Sequence, residues 1–173
     1  MTAIYLIVFI GGVVLLYLAY QSVLGWISEK ANRLLQSGTV KKGDELLKTE
    51  LEFAAPNVTA DQLLQVLLDH LNLEEEKTIK HTLRLEEMQA TDQGGYGLVF
   101  VYGNRLDDSF KTYVEILPMV GSHGSEGTIS VIGATTQDGV MQHVDKLGNW
   151  RHDVVEAVKA ADPAATFSEN RPT

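Results

Sequence analysis

Residues 98–118 read LVFVYGNRLDDSFKTYVEILP and contain two apolar runs separated by a polar turn. Leu98 to Tyr102 is apolar throughout, whereas from Phe110 to Ile116 every second residue, including Thr112, belongs to one face. The stretch from Asn104 to Asp108 is rich in Asn and Asp, which favour tight turns. Two such runs joined by a short turn predict an antiparallel hairpin.

The hairpin is the centre of a predicted four-strand meander. Thr78 to Glu87 alternates between apolar and polar residues and predicts the strand before the hairpin. Its inward-facing residues are Ile79, His81, Leu83 and Leu85. Thr128 to Ala134 is the strand after the hairpin and follows a glycine-rich loop at Gly121 to Gly127. Consecutive strands with short turns predict one antiparallel sheet.

One strand and two helices flank the meander. Leu47 to Phe53 alternates strictly, so it predicts a half-buried strand with Thr49 on its inward face. Thr59 begins a helix that is apolar nearly all round, and we expect it to be well buried. Asp138 caps a long final helix whose apolar stripe extends from Val140 to Ala161. Strand, helix, four strands and long helix together predict an α+β fold over residues 44–162.

The first 28 residues contain no Asp, Glu, Lys, Arg or His. Such a stretch is typical of a transmembrane helix. Tyr5 and Trp26 would be separated by about 31 Å of helix rise, which matches an apolar bilayer core. Because Met1 to Ala3 contains no basic residue, a retained anchor is favoured over a cleaved signal peptide. We therefore predict one transmembrane helix over residues 1–28.

The residues after the span predict its orientation and a helical stalk. Basic residues flank only the carboxyl-terminal side of the span, at Lys30, Arg33, Lys41 and Lys42. This asymmetry predicts a cell-membrane protein with its amino terminus outside and its domain in the cytoplasm. The helical pattern continues after Trp26 and predicts a helix that ends near Ser37, with Gly38 as the terminating residue, so that residues 29–43 form a helical stalk and turn. The stalk's apolar stripe would contact the membrane, a partner or its own domain.

Residues 44–162 resemble the START/polyketide-cyclase superfamily, which has a helix-grip fold. The resemblance is carried by Ala54-Ala55-Pro56 after the first strand, a helix beginning near Ala60-Asp61, the meander and the long last helix. It implies a curved sheet that grips the last helix around an apolar cavity. Residues 163–173, in which Phe167 is the one large apolar residue, are expected to form a flexible tail.

Composition excludes several classes of protein. The chain has 14 Lys+Arg and 23 Asp+Glu, a net charge of −9, which argues against nucleic-acid binding. It has no Cys, so it cannot form a disulfide scaffold, a thiolate metal site or a Cys nucleophile. His143 and His152 are nine residues apart and out of phase on a helix, so they cannot share a metal ion. We predict no catalytic residue, no cofactor and no metal site.

Two groups of residues are candidates for binding. Thr49, His81 and Thr112 are polar residues at inward positions, so they either line a ligand cavity or belong to the core. The candidates for a partner interface are Gly11, Gly12, Trp26, Trp150 and Arg151. Gly11 and Gly12 would allow close helix approach within the membrane. Trp150 and Arg151 are residue types favoured at interfaces, although core packing of the indole and an arginine stem covering apolar surface explain them equally.

These observations predict a non-catalytic, membrane-anchored subunit that acts through protein–protein contacts. An accessory or assembly subunit of a respiratory or cell-envelope complex fits an anchor, a stalk and a compact acidic domain. The alternative is a membrane-tethered, START-like protein that binds a lipid or another apolar small molecule.

Overall fold

The computed structural model describes residues 37–137 and 140–171, and these ranges form an α+β domain. The helices are α1 (Ser37–Lys48), α2 (Ala60–His70) and α3 (Val144–Ala161). The strands are β1 (Glu50–Ala55), β2 (Thr82–Ala90), β3 (Tyr96–Gly103), β4 (Asp108–Pro118), β5 (Ser125–Ala134), β6 (Thr136–Gln137), β7 (Val140–Met141) and β8 (Thr166–Asn170). The predicted sequence of strand, helix, four strands and long helix is confirmed.

Six strands form one antiparallel sheet in the order β2-β3-β4-β5-β1-β8. The meander β2 to β5 is therefore continuous, as predicted. Strand β1 pairs beside β5, so α2 must cross the sheet to connect β1 with β2 on the far edge. Strands β6 and β7 form a separate two-stranded ribbon just before α3.

The core lies between one face of the sheet and the helices. The predicted inward face of β4 is confirmed, because Phe110, Thr112, Val114 and Ile116 are all buried. From α3, Leu147, Trp150, Val154 and Val158 pack into the same cluster. The opposite face of the sheet carries exposed side chains on β1 and β5, such as Glu52, Glu126 and Ile132. This one-sided burial explains the alternation in the sequence.

Helix α2 begins with a capping box. The Thr59 hydroxyl accepts a hydrogen bond from the Gln62 backbone N–H, and the Gln62 side chain accepts one from the Thr59 backbone N–H. The expectation that this helix is well buried is wrong. Only Ala60, Leu63 and Leu67 are buried, because a single stripe of the helix meets α3 and the sheet.

The boundary between stalk and first strand differs from the prediction. A helix end near Ser37 with Gly38 as the terminator is wrong, because α1 continues to Lys48. Gly43 lets α1 approach the domain closely, and this packing supports the helix where local sequence suggests a stop. Strand β1 therefore begins at Glu50 rather than at Leu47.

The carboxyl-terminal part also differs. The final helix begins at Val144, because Val140 belongs to β7 and His143 has a left-handed backbone with φ 56°. The predicted cap at Asp138 lies outside the described residues. The flexible tail is wrong over β8, whose Phe167 pairs with Phe53 of β1 and adds a strand to the sheet edge.

Strands β2 and β5 are displaced relative to the prediction. Strand β2 starts at Thr82, so Ile79 precedes the sheet and is 85% exposed rather than inward-facing. Strand β5 starts at Ser125, within the stretch expected to be a loop. No helix among residues 37–137 and 140–171 is long and apolar enough to cross a membrane. The predicted span, residues 1–28, lies outside the described residues.

Candidate functional site

Helix α1 is packed along the start of α3. A Cβ atom built on Gly43 would lie 3.2 Å from Val144 Cγ2, and Lys42 Nζ lies 3.1 Å from Asp145 Oδ1. Further along, Leu46 approaches Gly148 of α3. The contacts advance in the same direction on both helices, so α1 runs parallel to α3. The stalk was expected to contact the membrane, a partner or its own domain. Its described residues, from Ser37 onward, contact the domain.

A cleft of about 360 Å³ opens where the start of α3 meets the end of α2 and strands β2 to β4. Its floor is aromatic and its rim is polar, so its lining is more polar than that of the usual small-molecule site, which is mostly apolar. The floor includes Tyr102, Phe110 and Trp150, and the rim includes Asn72, Glu74, His81, Lys146, Asn149 and Asp153.

His81 belongs to an aromatic cluster at this cleft. Its ring is stacked on Tyr102 at 5.8 Å between centroids, and it lies 4.5 Å from the ring of His143. Asn104 Nδ2 lies 3.3 Å from His81 Nε2. Desolvation and the neighbouring His81 lower the pKa of His143. The cluster therefore favours the neutral form of His143, which suits stacking and hydrogen bonding rather than anion binding.

Two residues of the cleft carry buried polar atoms without a hydrogen-bond partner among the described residues. They are Thr82 Oγ1 and Trp150 Nε1. Such atoms are costly when unpaired, and Arg84 Nη1, Ser125 Oγ and Arg151 Nη2 are further examples outside the cleft.

The other two predicted cavity residues lie elsewhere and are not brought together with His81. Thr112 is fully buried, and its hydroxyl donates to the Phe100 carbonyl at 3.4 Å. Thr49 is buried beside α3, where its carbonyl oxygen accepts from Arg151 Nη1 at 3.3 Å. Thr112 is a core position on the sheet's inner face, Thr49 precedes β1, and neither residue lines the cleft.

The candidate partner residues are also separated. Trp150 is buried and contacts Phe100 with ring centroids 6.0 Å apart, so its indole is part of the core. Arg151 is half-buried between α3 and the sheet edge, where Nη2 lies 3.8 Å from Glu169 Oε1. Burial lowers the pKa of Arg151, and Glu169 opposes that shift. Gly11, Gly12 and Trp26 lie outside the described residues.

The sequence analysis missed a buried ion pair on the opposite face of the sheet. Arg84 Nη2 lies 2.6 Å from Asp108 Oδ1, and Lys77 Nζ approaches the same oxygen at 3.4 Å. Desolvation would raise the pKa of Asp108, but the hydrogen bond and charge of Arg84 and the charge of Lys77 hold it below its usual value. The loop that carries Lys77 passes this corner, as the 2.8 Å bond from Arg105 N to the Thr78 carbonyl shows.

The same face has an acidic groove of about 300 Å³. Glu52 and Glu115 flank Thr128 in register on either side, and Glu126 is two residues from Thr128 on the same strand. These three carboxylates line the groove, and no Lys or Arg does so among the described residues. The groove is therefore a negatively charged surface on the open face of the sheet.

Within the described ranges, no group of three or more His, Cys, Asp or Glu residues is arranged to hold a metal ion. No protein-family model matches the chain, and no curated protein matches it either.

Proposed function

We propose that the chain is a non-catalytic accessory or assembly subunit of a larger membrane protein complex, respiratory or cell-envelope. Residues 1–28 would anchor it through one transmembrane helix, with the α+β domain on the cytoplasmic side. The domain would act through protein–protein contacts.

The packing of α1 against α3 is the observation that carries this proposal. The chain enters the domain through a helix that packs on it at Gly43, where Val144 and Met141 are the nearest side chains. A domain joined to an anchor by a docked helix has a short reach and a restricted orientation, unlike one on a flexible linker. This arrangement suits fixed contacts with neighbouring subunits in the same membrane.

The acidic groove on the open face of the sheet is the surface that we assign to the partner. Glu52, Glu115 and Glu126 give it one sign of charge, so charge complementarity favours a basic segment of a neighbouring subunit. Such a pairing would contribute mainly to specificity and association rate, and it would weaken as salt is raised.

Site-specific photo-crosslinking in the native membrane tests this assignment. A crosslinking amino acid in place of Thr128, between Glu52 and Glu115, should attach to one defined subunit. The same amino acid in place of Gln65, which is exposed on α2, is the matched control. Equal crosslinking from both positions, or none from Thr128, would contradict the proposal.

A charge-reversal pair provides the second arm. Glu126→Lys should abolish the crosslink and the co-purification of that subunit, whereas Asp69→Lys makes the same charge change on exposed α2 and should preserve both. If the two variants behave alike, the groove is not the contact surface.

The cleft beside His81 favours a second candidate function, a membrane-tethered binder of a small molecule. The START-like resemblance implies a cavity between sheet and last helix, but Phe100, Leu147 and Trp150 fill that region of the described domain. The open cleft, with its aromatic floor and polar rim, suits a compact ligand better than a long acyl chain.

Native mass spectrometry of the purified full-length chain tests this candidate. A bound molecule should be released on unfolding, and Asn149→Trp, which fills the cleft from its exposed rim, should abolish its retention. Asn149→Ala is the control that keeps the cleft open. Retention of the molecule by Asn149→Trp, or no bound molecule in the wild type, would rule the candidate out.

A further inference from the structure

The cleft beside His81 carries charges of both signs on its rim. Its basic residue is Lys146, its acidic residues are Glu74 and Asp153, and all three are exposed. None of the three forms an ion pair within residues 37–137 and 140–171. Their charges are therefore not neutralised by the domain itself and can act on a molecule in the cleft.

Helix α3 separates Lys146 from Asp153 along the cleft. Lys146, Asn149, Trp150 and Asp153 line it at helical spacing, which places them on one face of the helix. Asp153 is seven residues after Lys146, and this corresponds to about 10.5 Å of helix rise. A positive and a negative side chain therefore stand at the two ends of this helix face, with Trp150 between them.

Strand β2 advances in the same direction as α3. Tyr102 contacts His143, immediately before α3, with ring centroids 5.6 Å apart, whereas Phe100 contacts Trp150 inside the helix. Tyr102 and Phe100 pair with successive inward-facing residues of β2, in that order. Later residues of β2 therefore lie toward the later residues of α3.

This direction places Glu74 on the acidic side of the cleft. His81 contacts His143 at 4.5 Å between ring centroids, one helical turn before Lys146. The Glu74 backbone N–H donates to the carbonyl of Leu83, two residues after His81, at 2.8 Å. Two residues of extended chain span about 7 Å. Glu74 therefore lies beyond His81 in the direction of Asp153.

The distribution of charge indicates a ligand that is itself charged at both ends. A singly charged molecule would leave the opposite charge of the rim without a partner, and the aromatic floor suits an apolar middle. The separation of the charges sets the length of the ligand. An extended dipeptide or tripeptide holds its two termini about 7–10 Å apart, whereas the charges of a single amino acid are only about 3.5 Å apart.

We propose that the cleft binds a zwitterion of about the size of a dipeptide, with its carboxylate at Lys146 and its ammonium group on the side of Glu74 and Asp153. The middle of the ligand lies on the aromatic floor. This inference rests on the second candidate function, the binding of a small molecule in the cleft, and it names the chemical class of that molecule.

Titration calorimetry of the full-length chain in detergent tests the proposal with matched probes. The probes are the dipeptide alanylphenylalanine, its amide, which lacks the carboxylate, and its N-acetyl form, which lacks the ammonium group. We expect the zwitterion to bind, and each capped form to bind about two- to fivefold more weakly, because each lost contact joins exposed charges. Free phenylalanine, which is too short to reach both ends of the cleft, should also bind more weakly than the dipeptide.

Variants assign each charge to its end of the cleft. Amidation of the dipeptide should no longer weaken binding to Lys146→Gln, and acetylation should no longer weaken binding to the double variant Glu74→Gln/Asp153→Asn. Lys41→Gln and Glu45→Gln remove exposed charges of α1 outside the cleft, so they are the matched controls and should respond to both caps as the wild type does. The comparison of probes on the wild-type chain does not depend on the folding of any variant.

Equal or tighter binding of a capped form would overturn the zwitterion and leave a small-molecule site. Failure of every probe at millimolar concentration, in a chain that retains a bound molecule in native mass spectrometry, would overturn this inference and leave the second candidate function intact. If no probe binds and no molecule is retained, both fail. If amidation weakens binding to Lys146→Gln as much as to the wild type, the carboxylate is not at Lys146 and the proposed orientation is overturned.

Discussion

Replacing Asp108 by Asn would remove the counter-charge of a buried guanidinium. Arg84 is 5% exposed, its Nη2 is 2.6 Å from Asp108 Oδ1, and its Nη1 already has no partner among the described residues. Leaving a buried charge unpaired costs about 3–5 kcal/mol. The Asp108 side chain is 27% exposed, so hydration of Arg84 offsets part of this cost. We therefore expect Asp108→Asn to lower the free energy of unfolding by about 2 kcal/mol. That corresponds to a fall in the unfolding midpoint of about 4–8 °C.

The measurement is urea unfolding of the full-length chain in detergent, followed by near-ultraviolet circular dichroism. Asp145→Asn is the control, because its pair with Lys42 is 3.1 Å long but exposed, and should cost less than about 0.5 kcal/mol. Combining Arg84→Met with Asp108→Leu should restore much of the stability, since an apolar pair avoids the desolvation cost. If Asp108→Asn is no more costly than Asp145→Asn, the reasoning about a buried network is refuted.

Three other perturbations have defined outcomes. Thr59→Ala removes the capping box of α2 and should cost about 1 kcal/mol in urea unfolding; no measurable change would show that the cap is dispensable. Gly127→Ala should prevent β4–β5 pairing, because its Cβ would lie 1.8 Å from the Glu115 carbonyl oxygen. Gly133→Ala is the control and should fold, because its Cβ meets nothing closer than 3.9 Å. Circular dichroism would distinguish the two variants, and a folded Gly127→Ala would contradict the strand register. Hydrogen bonds from Asn57 lower the pKa of Asp162, so the stability that they provide is complete above about pH 4 and is lost as pH falls through the lowered pKa. In thermal unfolding measured against pH, the midpoint of Asp162→Asn should therefore fall less steeply with acid than that of the wild type. An identical fall in both proteins would exclude this role for Asp162.

The sheet could be predicted from the sequence because its pattern is local. Phe110 to Ile116 alternates over one buried face, and the Asn/Asp-rich turn fixes the direction of the chain. Elements stabilised by tertiary contacts were missed or misplaced. Strand β8 has the polar sequence TFSEN, and only the pairing of Phe167 with Phe53 makes it part of the sheet. Gly38 lies inside α1 instead of ending a helix, because Gly43 packs on α3 and supports the helix. No local propensity indicates this packing.

In the candidate sites, too, the features that follow from a local sequence pattern could be predicted, and those that depend on tertiary contacts could not. His81 was identified from its register, and it lines the cleft, although it precedes β2 rather than lying within it. Alternation along β2 places Arg84 on the outward face, and the structure agrees, but the pattern does not indicate that its side chain is buried beside Asp108. The inward position predicted for Ile79 is wrong for the same reason, because β2 starts three residues after Ile79.

Isolation of the tagged full-length chain from its native membrane in mild detergent, followed by native mass spectrometry, tests the central claim most directly. We predict a heteromeric assembly of defined stoichiometry, in which a photo-crosslinker at Thr128 attaches to a constituent subunit. Recovery of the chain alone, as a monomer that gives no crosslink in the membrane, would contradict the account.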